Sequence, residues 1–249
     1  MIVLHMFRRR WLPTTLLVIA AAAVCVRLGL WQLDRLEQRR AFNAHVLAMR
    51  ALPPLELNRS GERDLRAMEY RAVVAWGTFD FIHQVALRNQ YHQGRLGYRL
   101  LTPLRLSDGR AILVDRGWIP AEGNEHPEGW MRYREADPVE VQGVIRLGVS
   151  TTPLGGRADP TLAPGQARLD FWNFPNVERI AAQIPYPVLP VYIQMNPMPG
   201  DEEPPIPLPI EIELTEGPHL GYAVQWFLFA ALFLLGYPFL LRKRIAEAP

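Results

Sequence analysis

Residues 218–241 read PHLGYAVQWFLFAALFLLGYPFLL, and from Leu220 to Leu241 the run carries no charge. About 20 apolar residues make a helix long enough to cross the hydrocarbon of a bilayer, so this stretch is read as the second of two membrane-spanning helices. On a helix His219, Tyr222 and Trp226 stand at i, i+3 and i+7, which puts all three on one face. The imidazole then sits at the mouth of the span with aromatic rings beside it. Function is expected to centre on that face.

The first span is read at residues 11–31. It is apolar from Trp11 to Val26 apart from Thr14 and Thr15, and it continues past Arg27 through Leu28, Gly29, Leu30 and Trp31. A cleaved leader would fit the first part, but the tryptophans at both ends match the interfacial belts of an uncleaved anchor. Arg27 lies within a turn of one end, where its long side chain reaches the headgroups at far less than the ~2.5–3.5 kcal/mol of a charge at the midplane. Arg8, Arg9 and Arg10 precede this span and Arg242, Lys243 and Arg244 follow the other. Positive residues stay inside, so residues 1–10 and 242–249 are expected in the cytoplasm of a cell whose inner membrane the protein crosses twice. Residues 32–217 are then a periplasmic or otherwise extracytoplasmic domain.

The chain has 249 residues, 49% of them hydrophobic, with those residues concentrated at the two ends. A formal charge of +2 with scattered arginines offers no nucleic-acid surface. The single cysteine, Cys25, rules out an intramolecular disulfide and a Cys-x-x-Cys metal site. No Gly-rich phosphate loop, Gly-x-Ser-x-Gly elbow or His-Glu-x-x-His motif occurs, so nothing points to an enzyme.

Residues 33–50 are charged and helical in pattern, with Leu33, Leu36, Arg40 and Ala44 spaced for one face. The first span is therefore expected to continue outward until Pro53 and Pro54 stop it. Residues 58–64 read as a polar loop. Residues 71–76, 83–88, 98–106, 111–115 and 139–147 are short runs rich in Val, Ile, Leu and aromatics and read as strands. Ser107-Asp108-Gly109 predicts a tight antiparallel hairpin, because Gly supplies the positive φ of the turn. Residues 148–167 form a loop rich in Pro, Gly and Thr. Residues 173–178 look like a helix start with Pro175 in the first turn. Two more strands are expected at 188–195 and 210–214, on either side of a proline-rich loop at 197–209. The fold class is thus an α+β membrane protein, with two transmembrane helices flanking one mainly-β domain. That domain is barrel- or sandwich-like, with about seven strands and a short helix.

Asp115-Arg116-Gly117-Trp118 is placed at a strand end, where Asp and Arg either bind an anion or close the strand with a local ion pair. The six histidines are His5, His45, His83, His92, His126 and His219, and none has the helical spacing of a metal pair. His83 and His92 share a neighbourhood only if their strands pair, and surface histidines are the plainer reading. His219 differs in position, and its apolar wall and polar exit suit a flat amphipathic ligand. Haem meets that description, taking a neutral imidazole on iron, aromatic packing on the macrocycle and arginines such as Arg27 and Arg35 near its propionates. Membership of the interfacial belt is the other reading of His219.

Several short motifs, in this order, resemble the surfeit locus protein one family, the Shy-type assembly factors of haem-copper cytochrome c oxidase. They are Leu28-Gly29-Leu30-Trp31-Gln32-Leu33-Asp34-Arg35, Gly97-Tyr98 with Thr102-Pro103-Leu104, and Ile112-Leu113-Val114-Asp115-Arg116-Gly117-Trp118. Phe171-Trp172-Asn173, His219-Leu220-Gly221-Tyr222 and Trp226-Phe227 complete the set. The resemblance covers nearly the whole chain.

It implies a membrane chaperone of the respiratory chain that receives haem a and assists its insertion into oxidase subunit I, alongside other assembly factors such as haem a synthase. The family's haem histidine falls on His219, as axial iron ligand. Tyr222, Trp226, Gly29, Trp31, Gln32 and Arg35 are the accompanying positions, and Asp115 to Trp118 are expected to be structural. Some members carry Asn two residues before the histidine, where this chain has Gly217. With Gly29 and Gly221 allowing close approach of the two helices, haem would lie between them. The alternative is a cofactor-free scaffold that stabilises oxidase assembly intermediates.

Overall fold

In a computed structural model of the chain, residues 6–61, 64–151, 158–163, 165–200 and 202–246 are described. His5 and parts of the loops expected at 58–64 and 148–167 lie outside them. The chain forms two compact units, one drawn from the described residues of Met1–His45 and Glu213–Pro249, the other from Val46–Ile212.

The first unit is built on two helices, α1 (Leu12–Ala51), which runs on into the second unit, and, in chain order the last helix, α4 (His219–Ala246), both long and apolar enough to cross a membrane. As the sequence leads one to expect, α1 runs unbroken past Trp31 and ends at Ala51, two residues before Pro53. The buried positions of α1 in this unit are Thr15, Ala22, Cys25, Gly29, Gln32, Leu36 and Asn43, with Val18, Ala21, Leu28, Arg39 and Phe42 half-buried beside them. The buried positions recur at steps of three, four or seven residues, the 3.5-residue period of two helices wound along a common seam. On α4 the buried positions Ala223, Ala230 and Tyr237 fall at heptad spacing, and Leu241 follows one turn on. The helices are antiparallel: the Thr15 hydroxyl hydrogen-bonds the Tyr237 hydroxyl at 2.7 Å near one end, and Gln32 meets His219 near the other.

This seam corrects the face expected from Leu33, Leu36, Arg40 and Ala44, of which only Leu36 belongs to it. The stripe is chosen by fit and hydrogen bonding to α4 and to the segment before it, rather than by hydropathy alone.

In the second unit the described residues of the β-domain form eight strands: β1 (Leu55–Glu56), β2 (Ala72–Phe79), β3 (Val85–His92), β4 (Arg95–Arg105), β5 (Ala111–Pro120), β6 (Val139–Leu147), β7 (Phe171–Trp172) and β8 (Val188–Met195). Their order is β1-β2-β6-β8-β5-β4-β3-β7, and a further pairing of β2 with β4 at Thr78↔Arg105 closes β2-β6-β8-β5-β4 into a barrel. Closure removes the edges that an open sheet would expose. Val73, Ala75, Leu104, Ile112, Val114, Val141, Ile145, Val191 and Ile193 fill the interior.

Two small helices attach to this barrel, α2 (Pro127–Trp130) and α3 (Val177–Ala181). Val177 and Ile180 of α3 cover the outer face at Leu101, Leu113 and Tyr192, together with Trp172. Strand β5 is therefore buried on both faces, which explains its continuous rather than alternating apolar pattern.

The hairpin between β4 and β5 turns at Ser107-Asp108-Gly109, where Gly109 has φ 86° and Leu106 N–H donates to the Arg110 carbonyl at 2.8 Å. Strands β6 and β8 have the bounds read from the sequence. The helix near 173–178 is capped by Asn176, whose side chain accepts from Arg179 N–H, so Pro175 precedes the cap instead of lying in the first turn. Residues 210–214 form no strand. Within the first unit, the carbonyls of Glu213, Leu214 and Thr215 are instead satisfied by Arg39 and Asn43 of α1.

Candidate functional site

The approach to α4 is a glycine turn. Gly217 has φ 69°, a left-handed conformation open to Gly and, among other residues, most readily to Asn. Helix α4 then opens with His219, whose ring is half-buried. Its Nδ1 lies 2.8 Å from Gln32 Oε1, and Gln32 is buried in the seam of α1. An amide oxygen only accepts, so with Oε1 turned to it Nδ1 carries the proton and donates. The lone pair is left on Nε2, the form in which a histidine binds a metal with its other nitrogen held by a neighbouring acceptor.

A Cβ at position 217 would lie 3.4 Å from His219 Cδ2 and 3.5 Å from Nε2. That is ordinary van der Waals contact, so glycine is favoured at 217 by its positive φ rather than by crowding at the ring. The residues present thus fit an axial imidazole ligand on one count, the tautomer that Gln32 sets.

The other expected positions are distributed as follows. Gly29 packs against α4 so closely that a Cβ there would stand 2.7 Å from Phe227 Cε1. Gly221, expected to share this role, faces open space with nothing within 4 Å, because it lies on the far side of α4. Trp31 is exposed and carries the Arg35 guanidinium 5.6 Å from its ring centre, and Arg35 also donates to Gln38 Oε1 at 2.9 Å. Trp226 is half-buried and meets Phe229 edge-on at 5.9 Å. Tyr222 is exposed, and among the described residues no ring contact joins it or Trp226 to His219.

Sequence reasoning missed the polar residues around this pair. Arg40 makes a two-pronged ion pair with Glu216 at 2.8 and 2.9 Å, and Asn43 donates to the Leu214 carbonyl at 2.9 Å. Both fasten the segment leading into His219 onto α1. The available signal was the 3.5-residue recurrence of Gln32, Arg39 and Asn43, which a search for apolar spacing passes over.

Asp115 and Arg116 lie inside β5, not at a strand end, since the strand runs on to Pro120. Asp115 forms an ion pair with Arg99 and is buried; burial pushes its carboxyl up while Arg99 pulls against it. Arg116 is fully buried, pairs with Glu135 at 2.5 Å and lies over Phe79 and Phe81. Gly117 has φ 118° and a Cβ there would strike the backbone of Ile206, while Gly97 makes room for the Trp118 indole from the neighbouring strand. The Gly97-Tyr98 and Gly117-Trp118 motifs are thus neighbours across β4 and β5. His83 pairs with Asp80 at 2.7 Å, ahead of β3, and His92 lies at the other end of that strand against Trp118 at 5.3 Å, so they do not meet. Among the described residues no group of three His, Cys, Asp or Glu side chains gathers as a metal site.

A barrel domain carried in sequence between two long apolar helices defines the class. This chain belongs to the SURF1 family, whose model matches residues 19–231. A SURF1-like protein of Monosiga brevicollis is 28% identical over 240 residues, spanning 91% of this chain and 87% of its own length. Surfeit locus protein 1 of Arabidopsis thaliana is 25% identical over 288 residues, spanning 94% and 78%. The cytochrome oxidase assembly protein SHY1 of Saccharomyces cerevisiae is 31% identical over 108 residues, a match confined to 43% of this chain and 28% of that protein.

Proposed function

We propose that the protein is an assembly factor for haem-copper cytochrome c oxidase, binding haem a at His219 and assisting its insertion into subunit I. Membership of a family that includes an oxidase assembly protein supports the assembly role. The observation that carries the haem part is the 2.8 Å contact from Gln32 to His219, which leaves Nε2 free to ligate. Haem a is the cargo, and its iron takes an axial imidazole.

In this reading His219 supplies the ligand and Gln32 holds its ring and tautomer. Tyr222 and Trp226 offer aromatic surface on the same helix, and Arg35, stacked on Trp31, supplies positive charge one turn along α1 from Gln32. A single protein ligand suits a carrier, because exchange of one bond frees the cargo for subunit I. The protein binds and hands over and is not an enzyme. The two helices span the inner membrane with both termini cytoplasmic, following the arginines at 8–10 and the basic residues at 242–244, and the barrel faces the periplasm. There it is available to subunit I and to other assembly factors such as haem a synthase.

The test is complementation of cells lacking the protein. His219→Ala, present at the normal level in the membrane, is expected to leave subunit I short of haem a. Full oxidase haem with His219→Ala, lost only when the barrel is disrupted, would favour a cofactor-free scaffold.

A further inference from the structure

Helix α4 has a second face that α1 does not touch. Gly221, Gln225, Leu228, Leu232, Leu235 and Phe239 follow one another in alternating steps of four and three residues, the same seam period as the occupied face, and every one of them is exposed. Leucines and a phenylalanine on such a face need nothing but lipid. Gln225 is different.

Its primary amide has two donors and an acceptor. It lies six residues into the helix, ~9 Å along the axis from His219 at 1.5 Å per residue. A side chain with two methylenes is too short to return its amide to the helix mouth. Six residues at 100° each also turn it roughly 240° from His219, away from Gln32 and the α1 seam. Among the described residues no group hydrogen-bonds it. In hydrocarbon such an amide is costly, and polar side chains of membrane helices accordingly face other helices. Gly221, with nothing within 4 Å, removes the steric obstacle one turn away.

We infer that this face binds the same face of a second copy of the chain, so that α4 pairs with α4 in a parallel, two-fold symmetric dimer. The chemistry favours a copy over a different protein. Two identical chains insert the same way round, so their α4 helices run parallel and a two-fold axis brings Gln225 opposite Gln225. An amide is self-complementary: each carbonyl accepts from the other's NH2. A single polar residue at a seam position fixes register in this manner in paired helices. The inference does not depend on haem, since His219 and Gln32 lie on the opposite side of α4.

The test is oxidative cross-linking of the full chain in native membranes. Gly221→Cys is expected to give a disulfide-linked dimer, at least tenfold more than Leu220→Cys at the same depth or than the chain with Cys25 alone. Gln225→Leu in the Gly221→Cys chain is expected to reduce the dimer about tenfold, and Gln225→Asn to restore much of it. No excess dimer from Gly221→Cys would overturn the inference, as would a dimer indifferent to Gln225→Leu. A photo-reactive residue at Leu228 that traps another polypeptide instead of a second copy would assign the face to that partner and overturn it equally.

Discussion

Gln32 Oε1 and His219 Nδ1 stand 2.8 Å apart although 187 positions separate them in the chain. The contact fixes which nitrogen of the imidazole carries the proton, and so which one is free. Gln32→Leu, one atom shorter than the amide, removes the acceptor and leaves an apolar side chain in its place. Loss of an outer-shell partner costs a metal ligand roughly 10- to 100-fold in affinity, so ferric haem titrated into the purified variant is expected to bind that much more weakly than to wild type. Gln32→Glu places a carboxylate against the same N–H, makes the imidazole a stronger donor and should lower the midpoint potential of the bound haem. An unchanged affinity in Gln32→Leu would separate Gln32 from the ligand.

Gly29 should be intolerant of a side chain, because its hypothetical Cβ stands 2.7 Å from Phe227 Cε1. Gly29→Val is expected to destabilise the helix pair by about 1–3 kcal/mol, the usual cost of overpacking. Phe227→Ala in the same chain should recover part of that loss. Thermal unfolding in mild detergent of the two single variants and the double variant measures the coupling, and strictly additive losses would exclude the contact.

At the other end of the seam, Tyr237→Phe removes the 2.7 Å hydrogen bond with Thr15 and nothing else. A loss of about 0.5–1.5 kcal/mol is expected; Thr15→Val, which also removes the hydroxyl from the Met6 and Trp11 carbonyls, should cost more, and Tyr237→Phe should add little to it.

In the barrel domain Asp80 titrates under opposed influences. Burial, the largest, pushes its carboxyl up, but the hydrogen bonds from Tyr186 and His83 together outweigh it and hold the group below the ordinary 3.8. A carboxyl lowered on folding contributes stability that is present above its unfolded value and is lost as pH falls through its folded value. Asp80→Asn is therefore expected to lower stability at pH 7 and to flatten the pH dependence below about pH 4. Acid unfolding followed by tryptophan fluorescence reads both, and an unaltered acid limb would remove Asp80 from the explanation.

The sequence makes α4, the hairpin at Ser107-Asp108-Gly109 and the bounds of β6 and β8 legible, because there hydropathy and turn chemistry act locally and agree. The limits are equally specific. Residues 210–214 have the composition of a strand, but Arg39 and Asn43 of α1 take up the carbonyls at 213–215, a long-range competition that no local pattern carries. Asp115 and Arg116 break the apolar run of β5 and so suggest a strand end, whereas the fold supplies Arg99 and Glu135 to bury them in mid-strand. Two-residue strands such as β1 and β7 are too short to have any period. At the site, His219 and Gln32 are both visible as motif residues, but their contact depends on the register of α1 against α4. The glycine at 221 looks like its counterpart at 29 until the seam assigns it to the opposite face.

The most direct test is the purified full-length protein from cells that make haem a, in mild detergent, compared as wild type and His219→Ala by reduced-minus-oxidised spectra. Wild type is expected to carry a haem a signal and His219→Ala to lack it while keeping the same unfolding temperature for the barrel. A haem signal of equal size in His219→Ala, or none in wild type when the oxidase of the same cells is fully pigmented, would contradict the assignment of His219 as the haem ligand.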